Sequence, residues 1–202
     1  MNTLFLDLAG NPGLVACVAE KEVRAAREAD RRITDADLVP LLETLLQEAQ
    51  WDLHGVERIA CVTGPGGFTS LRVAAAFTNA LAFALNVPVA GVHLSDLKNV
   101  QCAQEDLLWV HSTKKTELFV RGFGSYAKAF PEAAWMELGR LGERYPQGAP
   151  WTGELLPDHE RFLSSWGAVR AEAKDAKEIL PAFLGSLKYE EKNLVPWYGR
   201  KW

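Results

Sequence analysis

Residues 56–72 read VERIACVTGPGGFTSLR. Val56 to Thr63 is a short apolar run of the kind expected of a central strand, and it stops abruptly at Gly64-Pro65-Gly66-Gly67. A helix follows at once. Thr69 to Leu85 is apolar nearly all round and rich in alanine, which predicts burial on more than one face. Strand, glycine loop and helix together make this helix the centre of an α/β arrangement.

Upstream, Thr3 to Ala9 and Leu14 to Ala19 flank the turn formers Gly10-Asn11-Pro12-Gly13, which predicts a hairpin, with a third strand through Val23 to Ala26. From Thr34 to Gln50, Leu38, Leu41, Leu42, Leu45, Leu46 and Ala49 recur at helical spacing, and Thr34 with Asp37 resembles a capping box. Downstream, Val87 to Val92 reads as a strand and Leu94 to Ala103 as a short helix. Beyond Gln104 the pattern is less regular. Strands are expected at Leu107 to His111, Glu117 to Phe123 and Ala134 to Glu137, and short helices at Asp158 to Leu163 and Asp175 to Leu187. The element order implies a mixed sheet with helices packed on it, with a first lobe that ends at about Gln104.

The 202 residues carry a formal charge of −4, so no basic surface is expected to hold nucleic acid unaided. Cys17, Cys61 and Cys102 are odd in number and widely spaced, which fits buried reduced thiols rather than a disulfide framework or a zinc knuckle. The N-terminal MNTLFLDLAG lacks a signal peptide's basic region, and no run reads as a membrane span; a cytoplasmic chain that binds no membrane is expected. His54, His93, His111 and His159 are scattered, so neither a metal site nor a catalytic centre is expected. There is no G-x-S-x-G elbow. Trp135, Trp151, Trp166, Trp197 and Trp202 crowd the second half and read as core and interface packing; the alternative, a stacking platform for bases, is opposed by the charge. The run Lys188 to Lys192 reads as a solvated helix end.

The loop Gly64, Pro65, Gly66, Gly67, Phe68, Thr69 admits two readings. It can be a structural turn that packs Phe68 into the core and needs a glycine-only backbone angle at Gly66. It can also cradle an anion, because backbone N–H groups at a helix N-terminus favour negative charge. The loop has no lysine of the G-x-x-x-x-G-K-[ST] type, and Thr69 stands where G-x-G-x-x-G has its third glycine. Asp7, at a strand end, reads first as a turn or cap residue and second as a metal ligand.

GPGGFTSLR resembles the GPGSFTGLR motif of the TsaB-type family of tRNA threonylcarbamoyladenosine biosynthesis proteins, also called glycoprotease-like or peptidase M22-like. The strand LFLDLA, the helix DLVPLLETLLQEA, the motif and NVPVAGVHLSDL follow in that family's order, and Pro196-Trp197-Tyr198-Gly199-Arg200 is similar to its closing P-x-Y-x-R. The family commonly has Asp-Thr-Ser where this chain has Asp7-Leu8-Ala9, so two hydroxyls that bond phosphate are missing. Gly67 replaces a family serine and Ser70 a family glycine.

The resemblance implies an RNase H-like fold of the actin, sugar kinase and Hsp70 superfamily, in two lobes, 1–104 and a reduced 105–202, with the last helix and tail packing back on the first. It implies a non-catalytic subunit that holds the catalytic TsaD-type protein, with a TsaE-type ATPase in the larger complex and tRNA reached only through that complex. No cofactor is expected in the isolated chain; ATP and Mg belong to the assembly. A homodimer is the alternative state of the free chain, and an ATP-binding phosphotransferase-like enzyme or an M22-type peptidase the alternative function. On a helical wheel of Thr69 to Leu85, Val73, Phe77, Leu81 and Leu85 line the side expected on the sheet. Arg72, Ala76, Asn79 and Phe83 line the opposite side, at a seam spacing that suits partner binding.

Overall fold

The near-continuous apolar runs Leu4-Phe5-Leu6 and Leu14-Val15-Ala16-Cys17-Val18 require a sheet covered on both faces. The computed structural model, which describes residues 1–29 and 34–199, shows how they are covered. The strands β1 (Thr3–Asp7), β2 (Gly13–Val18), β3 (Val23–Ala29), β4 (Arg58–Gly64) and β5 (Val89–His93) form a five-stranded sheet in the order β3-β2-β1-β4-β5. β1 pairs antiparallel with β2 in the expected hairpin, and parallel with β4, which runs parallel to β5.

Leu4 and Leu6 of β1, Val15 and Cys17 of β2 and Ile59 and Cys61 of β4 share one core with the helices α1 (Asp35–Ala49) and α2 (Phe68–Leu85). Period-two alternation sends Phe5, Ala16, Ala60 and Val62, all buried, to the other face. In α1 the inward stripe is Leu38, Leu42, Leu45, Leu46 and Ala49. Each leucine there contributes about 1.5 to 3 kcal/mol on burial. Thr34 begins that helix with the expected capping box, its N–H donating to the Asp37 carboxylate at 3.0 Å. Gln50, in the left-handed region at φ 58°, ends it.

A second sheet of five strands, in the order β10-β9-β6-β7-β8, is built from β6 (Leu107–Lys114), β7 (Glu117–Phe123), β8 (Ala134–Glu137), β9 (Pro150–Glu154) and β10 (Val169–Arg170). The helices α3 (Leu94–Gln101), α4 (Leu138–Arg144), α5 (Pro157–Ser165) and α6 (Ala176–Ser186) complete the chain. These two α/β layers form the RNase H-like, two-lobe fold that the family resemblance implies.

The chain divides into one unit of Met1–Leu94 with Asp175–Tyr198 and another of Ser95–Lys174 with Gly199. The division therefore falls ten residues before Gln104. α3 belongs with the second unit because Arg121 donates to Ser95 Oγ and to the Asp96 carboxylate, both at 2.8 Å, and Gln101 Nε2 donates to the Lys174 carbonyl at 3.1 Å. α6 and the segment after it belong with the first unit, where Glu190 exchanges two backbone hydrogen bonds of 2.9 Å with Val89 of β5. The run Lys188 to Lys192 is thus not a solvated helix end: α6 stops at Ser186, and Glu190 extends the sheet edge between two lysine side chains, which hold its carboxyl down at about 2.

In the second unit Trp109 and Trp151 are fully buried, and Phe162 and Trp166 meet at a tilt of 31° beside the α4 glycine Gly142. Trp202 and Arg200 lie outside the described residues. His159 is fully buried and structural. Its Nε2–H donates to the Lys115 carbonyl at 2.8 Å, and its Nδ1 shares a hydrogen bond of 2.8 Å with Ser112 Oγ, so both ring nitrogens are held inside the unit.

Candidate functional site

The glycine loop leaves β4 with Gly64 at φ 142°, a backbone that side chains avoid, and a Cβ there would lie 2.2 Å from the Trp197 carbonyl oxygen. Gly66 is needed for a different reason than expected. Its φ is not positive; instead a Cβ would come within 2.9 Å of both Cα and Cβ of Ala9, where the loop crosses the end of the hairpin. The glycine requirement at Gly66 is therefore close approach, and the unusual backbone angle sits at Gly64. Pro65 is buried, and Gly67 and Thr69 are exposed.

Phe68 does not enter the core. It is 52% exposed, its ring stacked on Tyr198 with centroids 5.1 Å apart, and the Arg72 guanidinium stands 5.3 Å over the Phe68 ring. The core place is taken by Leu71, one turn into α2. Gly67, the N-cap at φ −62° and ψ 131°, supplies no side-chain cap to the α2 N-terminus.

Asp7 is buried at the end of β1, and its Oδ1 accepts from the amides of Ala9 and Gly10 at 2.8 and 2.9 Å. That is an Asx-type turn, in which the carboxylate serves its own backbone. Beside it, burial pushes the Cys61 thiol up to about 12, with the Asp7 charge adding a smaller push. Cys17 is raised by burial to about 11, and all three cysteines are free and buried. Among the described residues, no three His, Cys, Asp or Glu side chains group as a metal would require.

The α2 wheel differs from its sequence reading in two places. The side chains buried under α2 are Leu71, Ala74, Ala75, Thr78 and Ala82, mostly small, so the helix axis lies close to the sheet. Val73, Phe77, Leu81 and Leu85 are half-buried against the same core, on the flank of the helix rather than beneath it. On the outward side Arg72, Ala76, Ala80 and Phe83 are exposed, Phe83 to 90%. Asn79 does not belong to this stripe. Its Nδ2 donates to the Leu194 carbonyl at 3.0 Å and its Oδ1 accepts the Leu194 amide at 2.8 Å, so both ends of the amide are spent on the C-terminal segment.

By length and composition α2 is apolar enough to cross a membrane, contrary to the expectation that no run of the sequence reaches a span. Its five side chains buried in the first unit account for part of that apolarity, and the exposed stripe for another part.

Residues 28–133, just over half of the chain, match the family model described as TsaD, tRNA N6-adenosine threonylcarbamoyltransferase. A tRNA N6-adenosine threonylcarbamoyltransferase from Nitrosomonas europaea is 41% identical over 69 residues, 34% of this chain but only 19% of that enzyme. The chain thus spans about a fifth of that relative's length. The tRNA threonylcarbamoyladenosine biosynthesis protein TsaB from Buchnera aphidicola is 20% identical over 199 residues, 89% of this chain and 86% of that protein. Among solved structures, a Pseudomonas aeruginosa protein with similarity to the peptidase YEAZ superposes with a TM-score of 0.70 at 22% identity, covering 98% of this chain and 99% of that one.

Proposed function

The chain belongs to the M22-like family of TsaD-type and TsaB/YeaZ-type proteins, and from that membership we propose that it is a non-catalytic subunit that binds and supports a TsaD-type subunit in threonylcarbamoyladenosine modification of tRNA. The observation that carries the reading is the outward stripe of α2, where Phe83 stands 90% exposed in line with Arg72, Ala76 and Ala80. An aromatic anchor among small residues on a helix is the composition of a close helix–helix contact. The family match runs through both α1 and α2, so a TsaD-type subunit carries an equivalent helix pair, and two such pairs can meet about a two-fold axis. In the absence of that partner, two copies of this chain can pair through the same face.

The chemistry of the glycine loop and of Asp7 supports a helper rather than an enzyme. The carboxylate is committed to its own turn, and Leu8 and Ala9, both buried, offer phosphate no hydroxyl. In this reading ATP, Mg and a TsaE-type ATPase serve the assembled complex, and tRNA is met through the complex, consistent with a net charge of −4.

Depleting the protein should lower threonylcarbamoyladenosine in tRNAs that read codons beginning with A, measured by mass spectrometry of digested tRNA. Unchanged modification after clean depletion contradicts the role. Titration of the isolated chain with Mg-ATP separates the alternative: binding below millimolar with turnover marks an ATP-dependent enzyme.

A further inference from the structure

The segment after α6 does more than close the sheet. From Leu194 to Tyr198 it is pinned at successive points. Asn79 brackets the Leu194 peptide with two hydrogen bonds, the Trp197 amide donates to the Thr63 carbonyl at 2.8 Å, and the Trp197 ring meets His93 edge-on at 4.4 Å. Leu194 itself is buried in the core. Gly64 has no Cβ because the Trp197 carbonyl passes there. The result of this pinning is the position of Tyr198, whose ring lies on Phe68, which in turn carries Arg72 on its face.

Phe68, Thr69 and Arg72 are the exposed side chains at the N-terminal end of α2, and Arg72 is also the only charged residue in that helix. Exposed and unsupported, a long arginine and a phenylalanine would sample several rotamers, and fixing them on binding costs conformational entropy. The stack on Tyr198 fixes them beforehand.

We propose that the C-terminal strap, Leu194–Tyr198, is a working part of the docking face: latched by Asn79 and Thr63, it lays Tyr198 against Phe68 and so pre-orders Phe68 and Arg72 for the partner. The proposal rests on the reading that α2 docks a TsaD-type subunit, and it commits to that subunit as the occupant. Asn79 is then a positioning residue that acts through the strap, not a contact.

The test measures affinity of the full chain for a TsaD-type subunit by calorimetry, with melting temperature recorded for each variant. Tyr198→Ala should weaken binding about tenfold, the scale of one lost aromatic stack. Tyr198→Phe should bind as the parent does, because it keeps the ring. Asn79→Ala should raise hydrogen exchange at the Leu194 and Trp197 amides, leave β1 and β4 protected, and weaken binding to a similar degree. Ala76→Arg, in the middle of the stripe, should abolish binding. If Ala76→Arg abolishes binding while Tyr198→Ala and Asn79→Ala bind at full strength, the strap proposal is overturned and the docking face stands. If Tyr198→Phe is as weak as Tyr198→Ala, the stacking argument is overturned. If Ala76→Arg binds normally, the docking face itself is wrong and the strap proposal falls with it.

Discussion

Gly64 and Gly67 sit three residues apart in one loop, yet a single added side chain should move stability in opposite directions. At Gly64, φ 142° forces any Cβ-bearing residue into a sparsely populated conformation, a cost of about 1 to 3 kcal/mol. The new Cβ would also lie 2.2 Å from the Trp197 carbonyl oxygen, which is backbone and cannot rotate away. Relief requires the strap to lift, with loss of the Trp197–Thr63 hydrogen bond, worth about 1 kcal/mol. Gly64→Ala should therefore destabilise by about 2 to 4 kcal/mol, within the 5 to 15 kcal/mol that a domain has to lose. At Gly67 the backbone is already extended, the nearest atom to a new Cβ is Ser70 Oγ at 3.4 Å, and the helix has no side-chain cap. Gly67→Ser places an N-cap oxygen at the first turn of the helix and restricts the unfolded chain, a gain of about 0.5 to 1 kcal/mol. Urea denaturation of the two variants and the parent, followed by tryptophan fluorescence and circular dichroism, gives both signs. Equal midpoints for Gly64→Ala and the parent, or a loss for Gly67→Ser as large as that for Gly64→Ala, would refute the steric reasoning.

Asp7→Asn should leave the activity of the reconstituted complex within a few-fold, because Asn retains an oxygen for the Ala9 and Gly10 amides; a loss of about a hundredfold, the scale of a general acid or base, would show that Asp7 is engaged in chemistry. The raised thiols make stability fall in alkali. Cys17 and Cys61 are protonated in the native state up to about 11 and about 12 against an ordinary 9.0, so their contribution is complete below pH 9 and is lost as pH rises toward those values. Melting temperature should therefore drop more steeply between pH 9 and 11 in the parent than in a Cys17→Ala, Cys61→Ala variant, and parallel slopes would contradict this.

The parts of the fold that the sequence disclosed are those whose signals are local. Thr34 and Asp37 mark the start of α1, the leucines mark its inward stripe, and the turn residues 10–13 mark the hairpin. β9 and α4 were not legible: β9 begins at Pro150 and contains Gly153, and α4 is seven residues long with glycines at 139 and 142, so both exist through sheet pairing and packing rather than propensity. At the candidate site the outward positions of Arg72, Ala76 and Phe83 follow from helical period alone. Asn79 was misplaced because its neighbours in space are residues 115 positions away, at Leu194. Phe68 was misread for the same reason: hydrophobicity favours the core, and only the path of the C-terminal strap shows that Tyr198 receives its ring instead. Thr69 to Leu85 has no acidic residue and little amphipathic contrast, so the wheel fixed its outer stripe better than its buried face.

The most direct test of the account is binding of an Ala76→Arg, Phe83→Asp double variant to a TsaD-type subunit, by gel filtration and calorimetry, with circular dichroism as the folding control. Both side chains are exposed, so the variant should keep the parent's spectrum and melting temperature to within a few degrees, the shift expected of about 0.5 kcal/mol. The account predicts that this folded variant fails to co-elute with the partner and gives no binding heat. Full-strength binding by the folded variant would contradict it.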